Sequence, residues 1–90
     1  MSETQVEQST LAVEFLKAHK GILKWGPHGW SERRDDAWLI MSRDVTRSFD
    51  ETYLAPWLLK RLPGGFSVRT FKAVSLLAST CFSAVCGEDA

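Results

Sequence analysis

The chain lacks the features that mark export or membrane insertion. Its first residues, Met1-Ser2-Glu3-Thr4, carry neither the basic charges nor the apolar stretch of a signal peptide. The most apolar run, residues 73–86, is interrupted by four serine or threonine residues, whereas a bilayer-spanning helix needs about 20 predominantly apolar residues. With only two cysteines and no export signal, the sequence predicts a cytoplasmic protein without a membrane partner.

An excess of one charge is also missing. Eleven Lys and Arg residues balance eleven Asp and Glu residues, so no net field attracts nucleic acid or an anionic membrane. The distribution is uneven, because residues 52–87 contain no Asp or Glu and four basic residues, Lys60, Arg61, Arg69 and Lys72. The composition, 44% hydrophobic with no low-complexity segment, predicts a single globular domain over residues 1–90.

Catalytic and metal-binding signatures are weak. The residue types of a zinc site are present as Cys81, Cys86, His19 and His28. A five-residue offset on a helix turns the second thiol roughly 140° from the first, which disfavours both a shared metal and a disulfide. Asp35-Asp36 is interpreted as solvated charge, and Pro63-Gly64-Gly65 lacks the lysine of a phosphate-binding loop. We therefore expect no enzymatic activity, no metal and no cofactor.

Capping and stop signals predict a mostly helical chain. Two helices are predicted with both ends marked: about 5–20, between a capping box at Thr4–Glu7 and a stop at Gly21, and about 68–86, between a cap at Ser67 and a stop at Gly87. A further helical segment follows a predicted cap at Asp50, is kinked or begun by Pro56, and ends at Pro63-Gly64-Gly65.

The middle of the chain supports two interpretations. Ser31 as a cap, with apolar residues at helical spacing from Ala37 to Phe49, predicts a helix of about 32–48. The continuous apolar run Trp38–Met41 also fits a strand. The preferred prediction is an all-α bundle of about four helices. The alternative is an α+β fold with a short hairpin formed by residues 22–25 and 37–42.

Tryptophan, by contrast, is abundant, with four in 90 residues. Trp38 and Trp57 fall in apolar helical stripes and are expected in the core. Trp25 and Trp30 flank the tight turn Gly26-Pro27-His28-Gly29, which restricts where their rings point. If exposed, the two rings form a rigid anchor for a protein partner, because Trp and Arg dominate interface hot spots, or they stack on unpaired bases. The alternative is that at least one ring folds inward and closes the loop over a thin core.

The leading functional prediction is therefore a non-enzymatic binding module, a small adaptor or inhibitor that binds a protein partner. The predicted partner-binding residues are Trp25, His28, Trp30, Arg33 and Arg34. Self-association through the small-residue face of the last helix is a weaker hypothesis.

A second functional hypothesis rests on Gly65-Phe66-Ser67-Val68-Arg69-Thr70-Phe71. This segment resembles the turn and recognition-helix start of helix-turn-helix proteins. The resemblance implies DNA binding by Ser67, Arg69, Thr70 and Lys72 at a helix N-terminus. The alternative interpretation is a capped core helix whose exposed first turn is polar.

Overall fold

The computed structural model describes residues 3–43 and 48–87. These residues form three α-helices and three strands: α1 (Glu3–Ala18), β1 (Leu23–Gly26), β2 (Gly29–Arg34), β3 (Ala37–Ile40), α2 (Ala55–Arg61) and α3 (Val68–Cys86). A 3-10 turn, Met41–Arg43, follows β3, and a π-helical turn, Asp50–Leu54, leads directly into α2. The fold is therefore α+β, and the prediction of an all-α four-helix bundle is wrong.

The error lies in the middle of the chain, where the structure has strands in place of the predicted helix 32–48. Arg34 pairs with Ala37 across a two-residue turn. In that turn Asp35 adopts a φ of 55°, a left-handed conformation that Asp and Asn tolerate and a helix does not use. The acidic pair Asp35-Asp36 is thus the tip of a hairpin. Val45, part of the apolar pattern, lies outside the described residues.

The alternative prediction has the right fold class but the wrong strand pairing. The sheet is an antiparallel meander in the order β1-β2-β3, so β1 and β3 lie on opposite edges and each pairs with β2. Two consecutive tight turns produce this order, because a turn of two residues can join only strands that are neighbours in the sheet. Residues 29–34, which no sequence signal marked as a strand, form the centre of the sheet.

The register divides the sheet into two faces. Leu23 lies opposite Glu32 and Trp25 opposite Trp30, while β2 and β3 align Glu32 with Leu39. Directly opposite residues share a face, and alternate residues of one strand share it too. The inner face therefore carries Leu23, Trp25, Trp30, Glu32 and Leu39, and the outer face carries Lys24, Ser31, Arg33, Trp38 and Ile40.

The core forms where the two long helices pack together and the inner sheet face meets them. α3 buries one residue per turn, Val74, Ala78, Phe82 and Cys86, and packs principally along α1, which buries Ala12, Phe15 and Leu16. Ala12 and Ala78 are fully buried, and their small size permits close approach of the two helices. α2 adds the buried Leu58 and the partly buried ring of Trp57, which meets Phe15 edge-on at 5.5 Å. Trp57 therefore packs against the core, and its predicted core placement is met in part.

The helix ends follow the predicted caps in part. Ser67 caps α3 as predicted, because its Oγ accepts the Thr70 amide at 3.1 Å. Asp50 caps nothing; Ser48 performs this role by accepting the Glu51 amide at 3.0 Å. The Thr4 side chain of the predicted capping box lies outside what the structure describes.

Candidate partner-binding groove

The β1–β2 hairpin fixes the geometry of the first two tryptophans. Pro27 and His28 form its turn between the paired residues Gly26 and Gly29. Gly29 has a φ of 95°. This conformation fits a type I turn with Pro27 at its first central position, followed by a glycine bulge at Gly29. Trp25 and Trp30 then lie directly opposite each other on the inner face, with ring centroids 5.3 Å apart and ring planes tilted by 58°.

The two indoles have different environments. Trp30 is 8% exposed; its ring stacks on Phe49 at 4.3 Å with an interplanar angle of 2° and meets Phe82 edge-on at 5.9 Å. Trp25 is 39% exposed. The expectation that at least one ring folds inward is confirmed for Trp30, which leaves Trp25 as the indole accessible to a partner.

Trp25 stands at the side of a groove of about 660 Å³ between the hairpin and α3. The floor consists of the buried residues Trp30, Met41 and Phe49, and the walls of Trp25, Phe71 and Leu76. Leu76 is 67% exposed, although it is a large aliphatic residue. The groove thus joins the tryptophan hairpin to α3, and of the four residues predicted to bind DNA it includes Lys72 alone.

The rim of the groove is polar and carries two opposite charges. Lys72 lines it from α3 and Asp50 from the other side, with Ser42, Ser48, Ser75 and Ser79 between them. The hydroxyl of Ser75 donates to the Asp50 carboxylate at 3.5 Å. α3 contains no carboxylate, and Lys72 is the one charged residue that it contributes to the groove, so the helix side of the groove carries a single positive charge.

The other predicted partner-binding residues lie apart from this groove. His28 is exposed at the hairpin turn, where its carbonyl accepts the Ser42 hydroxyl at 3.3 Å. Arg33 lies on the outer sheet face with its guanidinium 5.9 Å from the Trp38 ring centroid. Arg34 pairs with Glu32, Nε to Oε1, at 2.8 Å. The predicted cluster is therefore divided among the turn and both faces of the sheet.

Trp38 also differs from its predicted place in the core. It is half-buried on the outer sheet face, where Lys24 Nζ lies 5.7 Å from its ring centroid, in addition to Arg33. Cation–π contacts of this kind contribute about 0.5–1 kcal/mol at exposed sites. They explain how a large aromatic ring is accommodated on the solvent side of the sheet.

The residues of the helix-turn-helix hypothesis occupy the first turn of α3. Ser67, Arg69 and Lys72 are exposed and Thr70 is half-buried. Two of them are engaged with each other, because the Ser67 hydroxyl lies 3.2 Å from Thr70 Oγ1 in addition to capping the helix. The principal packing partner of α3 is α1, whereas the two helices of a helix-turn-helix unit are consecutive in the chain.

Sequence reasoning missed a buried acidic group beneath the sheet. Glu32 is 2% exposed and accepts the Tyr53 hydroxyl at 3.0 Å, besides its ion pair with Arg34. Nothing in the local sequence distinguishes Glu32 from the neighbouring solvated charges. Only its register opposite Leu23 places it on the inner face.

The cysteines lie at the far end of α3 from the groove. Cys81 is half-buried and Cys86 is buried, with Sγ 3.7 Å from the carbonyl oxygen of Leu16. Burial raises the pKa of the Cys86 thiol above its usual value, against an opposing effect of Lys20. Among residues 3–43 and 48–87, no group of three or more His, Cys, Asp or Glu side chains is placed to hold a metal ion.

Comparison with known proteins identifies no relative. No family model matches the chain, and neither the curated proteins nor the solved structures include a significant match. Within the part of the chain that the structure describes, none of the helices has the length and apolarity needed to cross a bilayer. The functional assignment therefore rests on the geometry of the groove.

Proposed function

We propose that the chain is a non-enzymatic protein-interaction module, a small adaptor or inhibitor of the cytoplasm, that binds a segment of a partner protein in the groove between the β1–β2 hairpin and α3. The observation that supports this most directly is the pair of exposed apolar walls, Trp25 and Leu76, above an aromatic floor. A ring such as Trp25, held by a turn and by contact with Trp30, loses little conformational entropy on binding.

The partner segment is expected to be amphipathic and acidic. Bulky apolar side chains fill the space between Trp25 and Leu76, and a carboxylate pairs with Lys72 on the helix side of the groove. The one carboxylate on the rim, Asp50, already accepts a hydrogen bond from Ser75. An apolar contact surrounded by a polar rim is the usual anatomy of a specific interface.

The test starts from peptides selected against the native protein from a random library displayed on phage. The selected peptides are expected to combine bulky apolar residues with Asp or Glu. Trp25→Ala is expected to weaken their binding tenfold or more, measured by calorimetry, because it removes a wall of the groove and leaves the core intact. Leu59→Ala is the matched control, since Leu59 is an exposed apolar residue on α2 that does not line the groove.

Unchanged binding to a folded Trp25→Ala protein would contradict the proposal. Trp30→Ala is unsuitable as a test, because Trp30 is buried and its removal is expected to destabilise the whole fold.

DNA binding through the first turn of α3 is the second candidate, supported by the exposure of Arg69 and Lys72 on a helix without carboxylates. The two functions are separable, because Arg69 does not line the groove and Trp25 does. DNA binding predicts affinity for duplex DNA that falls steeply with salt and is lost in Arg69→Ala but retained in Trp25→Ala. The groove proposal predicts the reverse response for the selected peptides.

A further inference from the structure

The outer edge of β3 presents open hydrogen-bonding groups. The Arg33 amide donates to the Ile22 carbonyl at 2.9 Å, so the N–H and C=O of Arg33 face β1. Because the N–H and C=O of successive residues point to opposite sides of a strand, those of Glu32 and Arg34 face β3 and bond their partners Leu39 and Ala37. Trp38 and Ile40 consequently direct their N–H and C=O groups away from the sheet. Among the described residues, no backbone bond outside the helices and strands engages either of them.

The two edges of the sheet differ in how they are protected. At the β1 edge, the Leu23 amide donates to the His19 carbonyl at 3.1 Å, and the strand carries Lys24 and is followed by proline. β3 reads Ala-Trp-Leu-Ile and has no charge, proline or glycine, the features with which edge strands usually avoid pairing. Its inner-face residue Leu39 is 44% exposed.

We propose that β3 pairs in antiparallel orientation with β3 of a second copy of this chain, which joins the two three-stranded sheets into one. The register follows from geometry. Opposite residues must lie on the same face, and the open residues Trp38 and Ile40 must form the hydrogen-bonded pairs. Centring the two-fold axis on Leu39 satisfies both conditions, since Leu39 meets Leu39 on the inner face and Trp38 meets Ile40 on the outer face.

This arrangement is self-complementary, which is why a second copy is the proposed occupant. Each copy contributes both open residues, and an aromatic side chain lies opposite a β-branched one, a favourable cross-strand pair. No charged residue of the strand meets a like charge. An isologous contact of this kind closes on itself and leaves no further edge at β3. Because the strand is short, the dimer is weak and forms as the protein concentration rises.

Sedimentation velocity over a range of concentrations of the full chain tests the proposal. The wild-type mass is expected to rise from that of the monomer toward twice that value. Ile40→Pro removes an edge N–H and no hydrogen bond within the sheet, and proline is tolerated at such edge positions, so this variant is expected to remain monomeric at every concentration. Ile40→Thr, which keeps the N–H and the branched side chain, is the matched control and is expected to dimerise.

Amide hydrogen exchange of the wild-type protein supplies a test that needs no variant. On raising the concentration, the Trp38 and Ile40 amides are expected to gain tenfold or greater protection. The Leu39 amide, already bonded within the sheet, is expected to change little. A wild-type protein that stays monomeric, a dimer that persists in folded Ile40→Pro, or concentration-independent exchange of Trp38 and Ile40 overturns the proposal. A dimer that persists in folded Ile40→Pro would favour self-association through the small-residue face of α3 in place of β3 pairing.

Discussion

At the scale of single residues, Glu32 stands out in the described part of the chain as a buried charged side chain, 2% exposed. A buried carboxylate is costly unless it is paired and hydrogen-bonded. Glu32 meets this requirement through two groups from different elements, Arg34 on its own strand and the Tyr53 hydroxyl from the turn before α2. The contact with Tyr53 therefore ties the sheet to the helical part of the molecule.

Tyr53→Phe is expected to destabilise the fold by about 1–3 kcal/mol, because it removes a donor to a buried charge. The phenyl ring retains the edge contact with His19, whose ring centroid lies 5.8 Å from that of Tyr53, so the loss reports the hydroxyl. Urea denaturation measures the change. Combining the variant with Glu32→Gln is expected to give less than the sum of the two single losses. An unchanged denaturation midpoint would show that the Tyr53 hydroxyl does not stabilise Glu32.

The two thiols are expected to differ in reactivity. Because burial raises the pKa of the Cys86 thiol, this thiol has less thiolate at neutral pH, and it is also less accessible than Cys81. A disulfide reagent should modify Cys81 first and Cys86 only as the protein opens. The raised folded-state pKa means that the fold favours the protonated thiol. This stabilisation is present below the pKa of the unfolded thiol and is lost as pH rises through the folded-state pKa. Equal labelling rates of Cys81 and Cys86 at pH 7 would contradict the predicted order of modification.

At the scale of elements, the β1–β2 hairpin depends on the backbone conformation of one glycine. Gly29 adopts a φ of 95°, whereas Gly26, directly opposite, has no positive φ. A Cβ added at either position would meet nothing within 4 Å. The two glycines therefore differ in backbone strain and not in available space.

Gly29→Ala is expected to cost about 1–2 kcal/mol through left-handed strain. Gly26→Ala is the matched control and should cost less than half of that. Thermal denaturation followed by circular dichroism compares them. Similar losses in the two variants would indicate that the turn relaxes to a conformation without positive φ.

Among the helices and strands, some boundaries could be predicted from the sequence and others could not. Ser67 and Gly87 mark the ends of α3 because caps act within one or two turns of the chain. The middle segment could not be assigned in this way. Its apolar residues fit both periods, and the choice depended on pairing with residues 29–34. The candidate site was found only in part: the turn indicated Trp25, but Phe71 and Leu76 reach it through tertiary packing that no local pattern encodes.

At the scale of the whole molecule, α1 is the element on which the other two helices assemble. α3 packs along it, and α2 contacts it through Trp57 and through the ion pair between Glu14 and Arg61. A continuous series of aromatic contacts crosses the same region from the groove to the opposite side, in the order Trp25, Trp30, Phe49, Phe15, Trp57. The sheet and the helices consequently share one core.

Trp30→Ala is expected to unfold both layers together, because deleting a buried indole costs about 3–5 kcal/mol, a large part of the 5–15 kcal/mol typical of a domain. Trp25→Ala should cost less than Trp30→Ala, since the Trp25 ring is partly exposed. Tryptophan fluorescence and helical circular dichroism should give coincident transitions in the wild-type protein. A helical signal that persists after the fluorescence transition would instead indicate two independent layers.

The closeness of the two hairpin indoles has a spectroscopic consequence. Rings 5.3 Å apart and tilted by 58° are close enough for their electronic transitions to couple, and coupled transitions in a chiral arrangement produce an exciton couplet in the far-ultraviolet circular dichroism spectrum. The couplet requires the closed hairpin and vanishes when either ring turns away. A segment that settles beside Trp25 would alter its sign or amplitude, so the protein carries an intrinsic optical signal for occupation of the groove.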